Sequence, residues 1–280
     1  MTDSIKHGRI VVLDGWRGLA VAIVIVGHFI IPGFHIGRAG VELFFVLSGR
    51  LMADILFVQK SPLGHFFVRR FSRVWPALFV FAVVIFIIGK FIPLYNFGWR
   101  PFLSVITFTA NYFFILADRV PPLGHIWSLC IEEHSYVFLG LLAFVVRRSR
   151  ISVIAVLSTA LAFTWGNGVF QTLMGGGYYD VYWRSDVRAS SIFTSALLFL
   201  LLRDRPIPSK WRARCSPICL GLGLFLMLGF VPDPISYTIG SALLALGVCT
   251  VEHADQRFQA ALSHPLMLRA GLWSYSIYLW

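Results

Sequence analysis

Charge is what this sequence has least of. Asp, Glu, Lys and Arg together make up 13% of the 280 residues, about half the share of an ordinary soluble domain, which carries roughly 25%. Acids are the scarcer sign, 13 against 24 Lys and Arg, which leaves a net charge of +11. With 58% hydrophobic and 16% aromatic residues, this excludes an ordinary soluble fold. Cysteine is sparse too. Cys130, Cys215, Cys219 and Cys249 form no secreted-type framework, and Cys215 and Cys219 have no histidine pair to complete a zinc site. They read as small apolar packing residues, and no metal is expected. There is no low-complexity tract, no linker, no soluble domain and no internal repeat of the kind that marks many transporters. Nor is there a basic stripe interleaved with exposed aromatics, so nucleic acid is not an expected partner.

What fills the chain is apolar sequence. Runs long enough to cross a bilayer, or nearly so, lie at about 17–34, 41–58, 77–95, 126–146, 151–170, 188–202, 216–231, 235–251 and 267–280. This predicts an all-α, polytopic transmembrane bundle of about nine spans. The basic residues sit in short blocks between the runs. With the N-terminus in the cytoplasm, sixteen Lys and Arg fall on the inner side and five on the outer. That asymmetry requires 102–116 not to cross, so 96–125 is expected as an outer loop with a re-entrant or surface-lying piece. Lys6 and Arg9 precede the first run as in a signal peptide, but Arg17 and His28 interrupt it and no small-x-small site follows. A retained first span is expected. The last run is short for a crossing, which predicts a single membrane domain over 1–280, truncated at its C-terminal end.

The rare polar residues inside these runs are the candidates for chemistry, because ionisable groups in a bilayer are costly. In LDGWRGLAVAIVIVGH, Arg17 and His28 are eleven positions apart, about three helical turns and roughly 16 Å, so they share a helix face. Arg50 lies within the second run, with Asp54 one turn later as a local partner. HFFVRRFSRVWP brings Arg70 and Arg73 to one face, where paired guanidinium forks suit phosphates. Arg69 points about 100° away and reads as a lipid anchor. HIWSLCIEEHSY places Glu132 and Glu133 roughly 9 Å below the outer surface, the depth expected for His28. A carboxylate aimed at a histidine fixes its tautomer and raises its basicity, as a general base for a hydroxyl requires. YYDVYWRSDVRASS mixes aromatics with charges at an outer surface, which suits sugar rings, but the ordinary interfacial belt is the safer reading. A polar network that holds spans together, with Arg17 and the Arg70/Arg73 block contacting membrane lipids, is the structural alternative throughout.

These blocks, LDGWRG with His28, GVELFFVLSG, FFVRRFSRVWP, WSLCIEEHSY and SYSIYLW, occur in order from Leu13 to Trp280 and together resemble acyltransferase family 3. The resemblance implies a ten-span membrane O-acyltransferase of the bacterial inner membrane, carrying an acetyl group from cytoplasmic acetyl-CoA to a hydroxyl of a saccharide or lipid-linked glycan outside. It also implies roles: Arg17 and His28 as the family's basic residue and histidine, Arg70 and Arg73 near the CoA phosphates, Glu132, with Glu133 beside it, as the acid of the WSL-x-x-E block, and Arg188 as the arginine before the next span. Arg50, His134-Ser135, Ser190 and Ser195 depart from the family's usual residues. Two other classes compete, a proton-coupled transporter and an inactive scaffold of a polysaccharide-export complex.

Overall fold

In a bilayer each backbone N–H and C=O must be satisfied within its own segment, which leaves the helix as the natural form for these apolar runs. The computed structural model describes residues 5–6, 9–30, 36–117, 119–205, 211 and 213–280, and helices dominate it. The exception is a two-residue antiparallel pairing of Ile5–Lys6 with Arg9–Ile10. In chain order the helices are α1 (Val11–Ile25), α2 (Ile36–Ala53), α3 (Leu63–Phe91), α4 (Trp99–Ile106), α5 (Ala110–Leu116), α6 (Trp127–Val146), α7 (Val153–Leu173), α8 (Tyr178–Tyr182), α9 (Ser185–Leu202), α10 (Cys215–Met227), α11 (Ser241–Thr250), α12 (Gln256–Leu262) and α13 (Pro265–Leu279). π-helical turns extend α1 through Val26–Ile30 and α2 through Asp54–Val58, and another, Ser236–Gly240, leads into α11.

Among the described residues, six helical segments are long and apolar enough to cross a membrane: Val11–Ile30, Leu63–Phe91, Pro121–Val146, Val153–Leu173, Ser185–Leu202 and Asp233–His253. The other three expected spans fall short for identifiable reasons. α2 carries Glu42, Arg50 and Asp54, α10 has 13 residues and α13 has 15. The third span also begins earlier than expected, because α3 starts at Leu63 and holds Arg69, Arg70, Arg73 and Pro76 inside the helix. In the 96–125 segment, α4 and α5 have eight and seven residues, and neither is long enough to cross.

Small residues set how the helices meet, as expected where lipid tails remove the hydrophobic drive for association. α1 lies directly on α13. A Cβ added at Gly18 would sit 2.0 Å from the Met267 carbonyl oxygen, and one at Gly271 would sit 2.1 Å from that of Asp14. α2 meets α9 the same way at Gly49, whose added Cβ would lie 2.1 Å from the Ile192 oxygen. The Ser48-Gly49 step thus permits the close approach that its small residues predict. α2 also receives Trp16 of α1, fully buried, whose Nε1 donates to the Leu43 carbonyl at 3.2 Å. α2 therefore runs through the middle of the bundle and joins its two apolar clusters, one on α1, α2, α10 and α11 and the other on α2, α3, α6 and α9.

Candidate active site

A cavity of about 750 Å³ opens between α1, α2, α3, α6 and α13, within the range of small-molecule sites. Its polar lining includes Arg17, Arg69, Arg70, Arg73, Glu132 and Ser48. α3 supplies three of these arginines because its helix continues through the whole RRFSR stretch. Arg69, expected to point away towards lipid, faces the cavity as well.

The arginines differ in their partners. Arg70 is clamped, its Nε donating to Glu133 at 2.9 Å and its Nη2 to Glu132 at 3.0 Å. Its guanidinium lies 4.1 Å from the centre of the Tyr136 ring. The second oxygen of Glu132 accepts from Ser48 Oγ at 2.8 Å, and Ser48 in turn accepts from the Tyr136 hydroxyl at 2.8 Å. Two carboxylates on consecutive residues are thereby held against one cation, which relieves the repulsion that adjacent acids would otherwise suffer. Arg17 donates to Asp14 at 2.6 Å, one turn earlier on α1. Among the described residues, no carboxylate lies within ion-pair distance of Arg69 or Arg73. These two are the guanidiniums left to meet an anion.

His28 lies elsewhere. It sits in the π-turn Val26–Ile30, exposed, with its ring against Gly37 of α2, where an added Cβ would come within 2.6 Å of the imidazole Cε1. It does not line the cavity, and the expected match in depth with Glu132 does not hold. Glu132 binds Ser48 and His28 contacts Gly37, eleven residues apart on α2, so they are separated by roughly 16 Å along that helix. Two local features account for this. The π-turn shifts the phase of α1 after Ile25, and α6 is preceded by a 3-10 turn, Pro121–Ile126, in which Leu123 and Ile126 are already fully buried. A packed 3-10 turn thus precedes the first α-helical residue of α6, Trp127. The imidazole is oriented all the same. Its Nδ1 is 2.8 Å from the Val24 carbonyl oxygen, and since a carbonyl only accepts, Nδ1 donates there, which in the neutral ring leaves the lone pair on Nε2. That is the tautomer a general base needs.

Other polar residues found distant partners. Arg50 pairs with Glu252 rather than Asp54, which instead accepts from Gln59 Nε2 at 2.7 Å. Glu42 and Arg188 form an ion pair in which neither side chain is more than 1% exposed, and Ser241 donates to the other Glu42 oxygen at 2.6 Å. His134 contacts Ser185 Oγ at 2.7 Å instead of the acidic pair. Sequence separations of 146 and 202 residues leave no local signal for the Glu42–Arg188 and Arg50–Glu252 pairs.

A second, smaller cavity of about 190 Å³ lies towards the other end of α2, lined by Trp165, Tyr178, Tyr182, Arg188, Asp233 and Tyr237 among others. Arg38, near the start of α2, frames it by donating to the hydroxyls of Tyr178 at 2.7 Å and Tyr237 at 2.8 Å and to Asp233 at 3.0 Å. Burial pushes the Tyr178 phenol above its usual range, against the opposing effect of its hydrogen bonds. Trp127 divides the two cavities: its ring centre is 6.0 Å from that of Phe45, which lines the larger, and 4.6 Å from that of Tyr182, which lines the smaller. Among the described residues, no cluster of three or more His, Cys, Asp or Glu is arranged to hold a metal ion.

The sequence has relatives among known proteins. The chain is 31% identical over 303 aligned positions to the peptidoglycan O-acetyltransferase OatA of Listeria monocytogenes, covering 96% of this chain and 48% of that protein. It is 28% identical over 297 positions to the O-acetyltransferase OatA of Staphylococcus aureus, covering 96% and 49% respectively. The chain thus spans about half the length of the curated relatives it matches. No solved structure matches it. The acyltransferase domain profile matches residues 10–280, and the chain belongs to acyltransferase family 3.

Proposed function

We propose that this chain moves an acetyl group from cytoplasmic acetyl-CoA to a hydroxyl of a saccharide on the far side of a bacterial cell membrane. The N-terminus is cytoplasmic and α2, α10 and α13 complete a nine-span bundle. The observation that carries this reading is the large cavity, where Arg69 and Arg73, without a carboxylate partner among the described residues, stand beside the Arg70–Glu132–Glu133 clamp. Unpaired guanidiniums in a partly desolvated cleft suit phosphates. Arg17, on α1, lines the same space together with its carboxylate partner Asp14.

In this reading Arg69 and Arg73 hold the CoA phosphates and Arg70 keeps Glu132 and Glu133 in place. His28, with Nε2 open, takes the proton of the acceptor hydroxyl. The hydroxyl oxygen bonds to the thioester carbonyl carbon, the carbon–sulfur bond breaks, and the CoA thiolate leaves and takes up a proton. An acyl-CoA carries its thioester at the end of a long arm remote from its phosphates. Separate phosphate and base sites at different levels of the bundle match that shape.

The test is transfer of radiolabel from acetyl-CoA into the glycan fraction of membrane vesicles. Transfer by the chain that is lost with His28→Ala is expected. Equal transfer by His28→Ala, or none from inserted protein with acceptor present, overturns the reading. A dependence on a proton gradient in place of acetyl-CoA would indicate the transporter class.

A further inference from the structure

We infer that the smaller cavity binds one uncharged sugar ring of the acceptor, with Trp165, Tyr182 and Arg188 as its hydrogen-bond donors. The inference rests on the acyl-transfer reading above, which places this end of α2 on the acceptor side. Its basis is a set of orphans. Among the described residues, Trp165 Nε1, the Tyr182 hydroxyl, and Nε and Nη1 of Arg188 are all buried without a hydrogen-bond partner, and all three residues line this one cavity. Buried polar groups are nearly always satisfied, so a concentration of unmet donors around one space indicates a polar occupant.

The remaining chemistry narrows the occupant. The two arginines here are already neutralised, Arg188 by Glu42 and Arg38 by Asp233, so the cavity has donors without surplus charge. That disfavours phosphate or carboxylate, and the orphan donors disfavour an acyl chain. The walls are aromatic and mutually braced: Tyr178 stacks on Tyr182 at 5.2 Å, and Tyr182 lies 5.4 Å from Tyr237. Rigid aromatic walls with donors between them fit a ring that has apolar C–H faces and an equatorial belt of hydroxyl oxygens. The size agrees as well. A volume of 190 Å³ is the liquid share of about six waters, comparable to one monosaccharide. The Tyr178–Tyr182 stretch, readable in the sequence as either a sugar platform or an interfacial belt, supplies three of the lining residues.

The test uses the full chain in detergent, with methyl β-glucoside, methyl N-acetyl-β-glucosaminide and methyl β-glucuronide as probes in saturation-transfer NMR. Binding of a neutral glycoside is expected, weakened roughly three- to tenfold by Tyr182→Phe, which deletes one donor and keeps the ring, and by Trp165→Phe, which deletes one donor and leaves a smaller aromatic ring in its place. In the vesicle assay both variants should raise KM for the acceptor by a similar factor and leave KM for acetyl-CoA unchanged. Unaltered glycoside affinity in both variants, no binding of either neutral glycoside, or preference for the glucuronide overturns the inference. Failure is separable from failure of the acyl-transfer reading: an active protein whose two variants keep the acceptor KM rejects this site alone, and an inactive one that binds glycosides rejects the reaction. Unchanged thermal unfolding would show that the variants fold, and either variant alone suffices.

Discussion

Glu42 of α2 and Arg188 of α9 form an ion pair with both side chains buried almost completely, joining the central helix to its neighbour between the two cavities. Removing one member leaves the other charge uncompensated. Glu42→Gln or Arg188→Met should each destabilise the protein by about 3–5 kcal/mol, while the double substitution should cost distinctly less than the sum. Thermal unfolding in detergent followed by helical circular dichroism measures this.

Arg70 and Arg73 should separate in behaviour although they face one cavity. Arg73→Ala deletes an unpaired cation, so it should weaken acetyl-CoA binding about tenfold or more with little effect on stability. Arg70→Ala also releases Glu132 and Glu133 from their clamp, so it should lower the unfolding temperature as well. Calorimetric titration with CoA beside thermal unfolding of each variant distinguishes the two.

His28 lies outside the large cavity, so its role should be visible in turnover and absent from donor binding. His28→Ala is expected to reduce kcat by about 10²–10⁴ with the affinity for CoA unchanged. A parallel loss of CoA affinity would mean that the histidine meets the donor directly.

Trp127 stands between the cavities, and Trp127→Ala should join them. We expect acceptor-independent hydrolysis of acetyl-CoA to rise in that variant, since water from one side would reach a thioester bound from the other. Release of free CoA thiol in the absence of saccharide is the readout.

The contact between α1 and α13 tolerates no side chain at Gly18, where an added Cβ would lie 2.0 Å from the Met267 oxygen. Gly18→Val should force the helices apart, at a cost of about 1–3 kcal/mol or more. Gly64, whose added Cβ would meet nothing within 4 Å, is the control, and Gly64→Ala should leave the unfolding temperature nearly unchanged.

The helices were legible because apolar runs of this length leave the backbone little alternative; Arg17 and Glu132 stand out in the sequence as costly charge in or at the edge of such runs, Arg70 and Arg73 as a pair on one helix face before the third run, and all four line one cavity. Pairing was not legible. Arg50 has a carboxylate one turn away in Asp54 yet takes Glu252, because which groups meet depends on how α2, α9 and the turn after α11 pack. The depth comparison of His28 with Glu132 assumed straight helices starting at one plane, and a π-turn and a buried 3-10 entry broke that assumption. Arg69 was assigned to lipid by its angle from Arg70, but the cavity is wide enough for both. The acyltransferase resemblance, carried by five ordered blocks, agrees with the profile match over 10–280.

The glycine contact between α1 and α13 also bears on biosynthesis. Gly18 enters the membrane about 250 residues before Met267 is made, which at ~5–20 residues per second is an interval of roughly 12–50 s. Throughout it, the face of α1 that will lie against the Met267 backbone has only lipid or an insertion factor to cover it, and Asp14 and Arg17 must neutralise each other in the meantime. Completion of the large cavity, whose walls include both α1 and α13, is therefore a late event in synthesis. A nascent chain arrested before residue 265 would hold Arg17, Arg69, Arg70 and Arg73 without yet having the complete chamber they line.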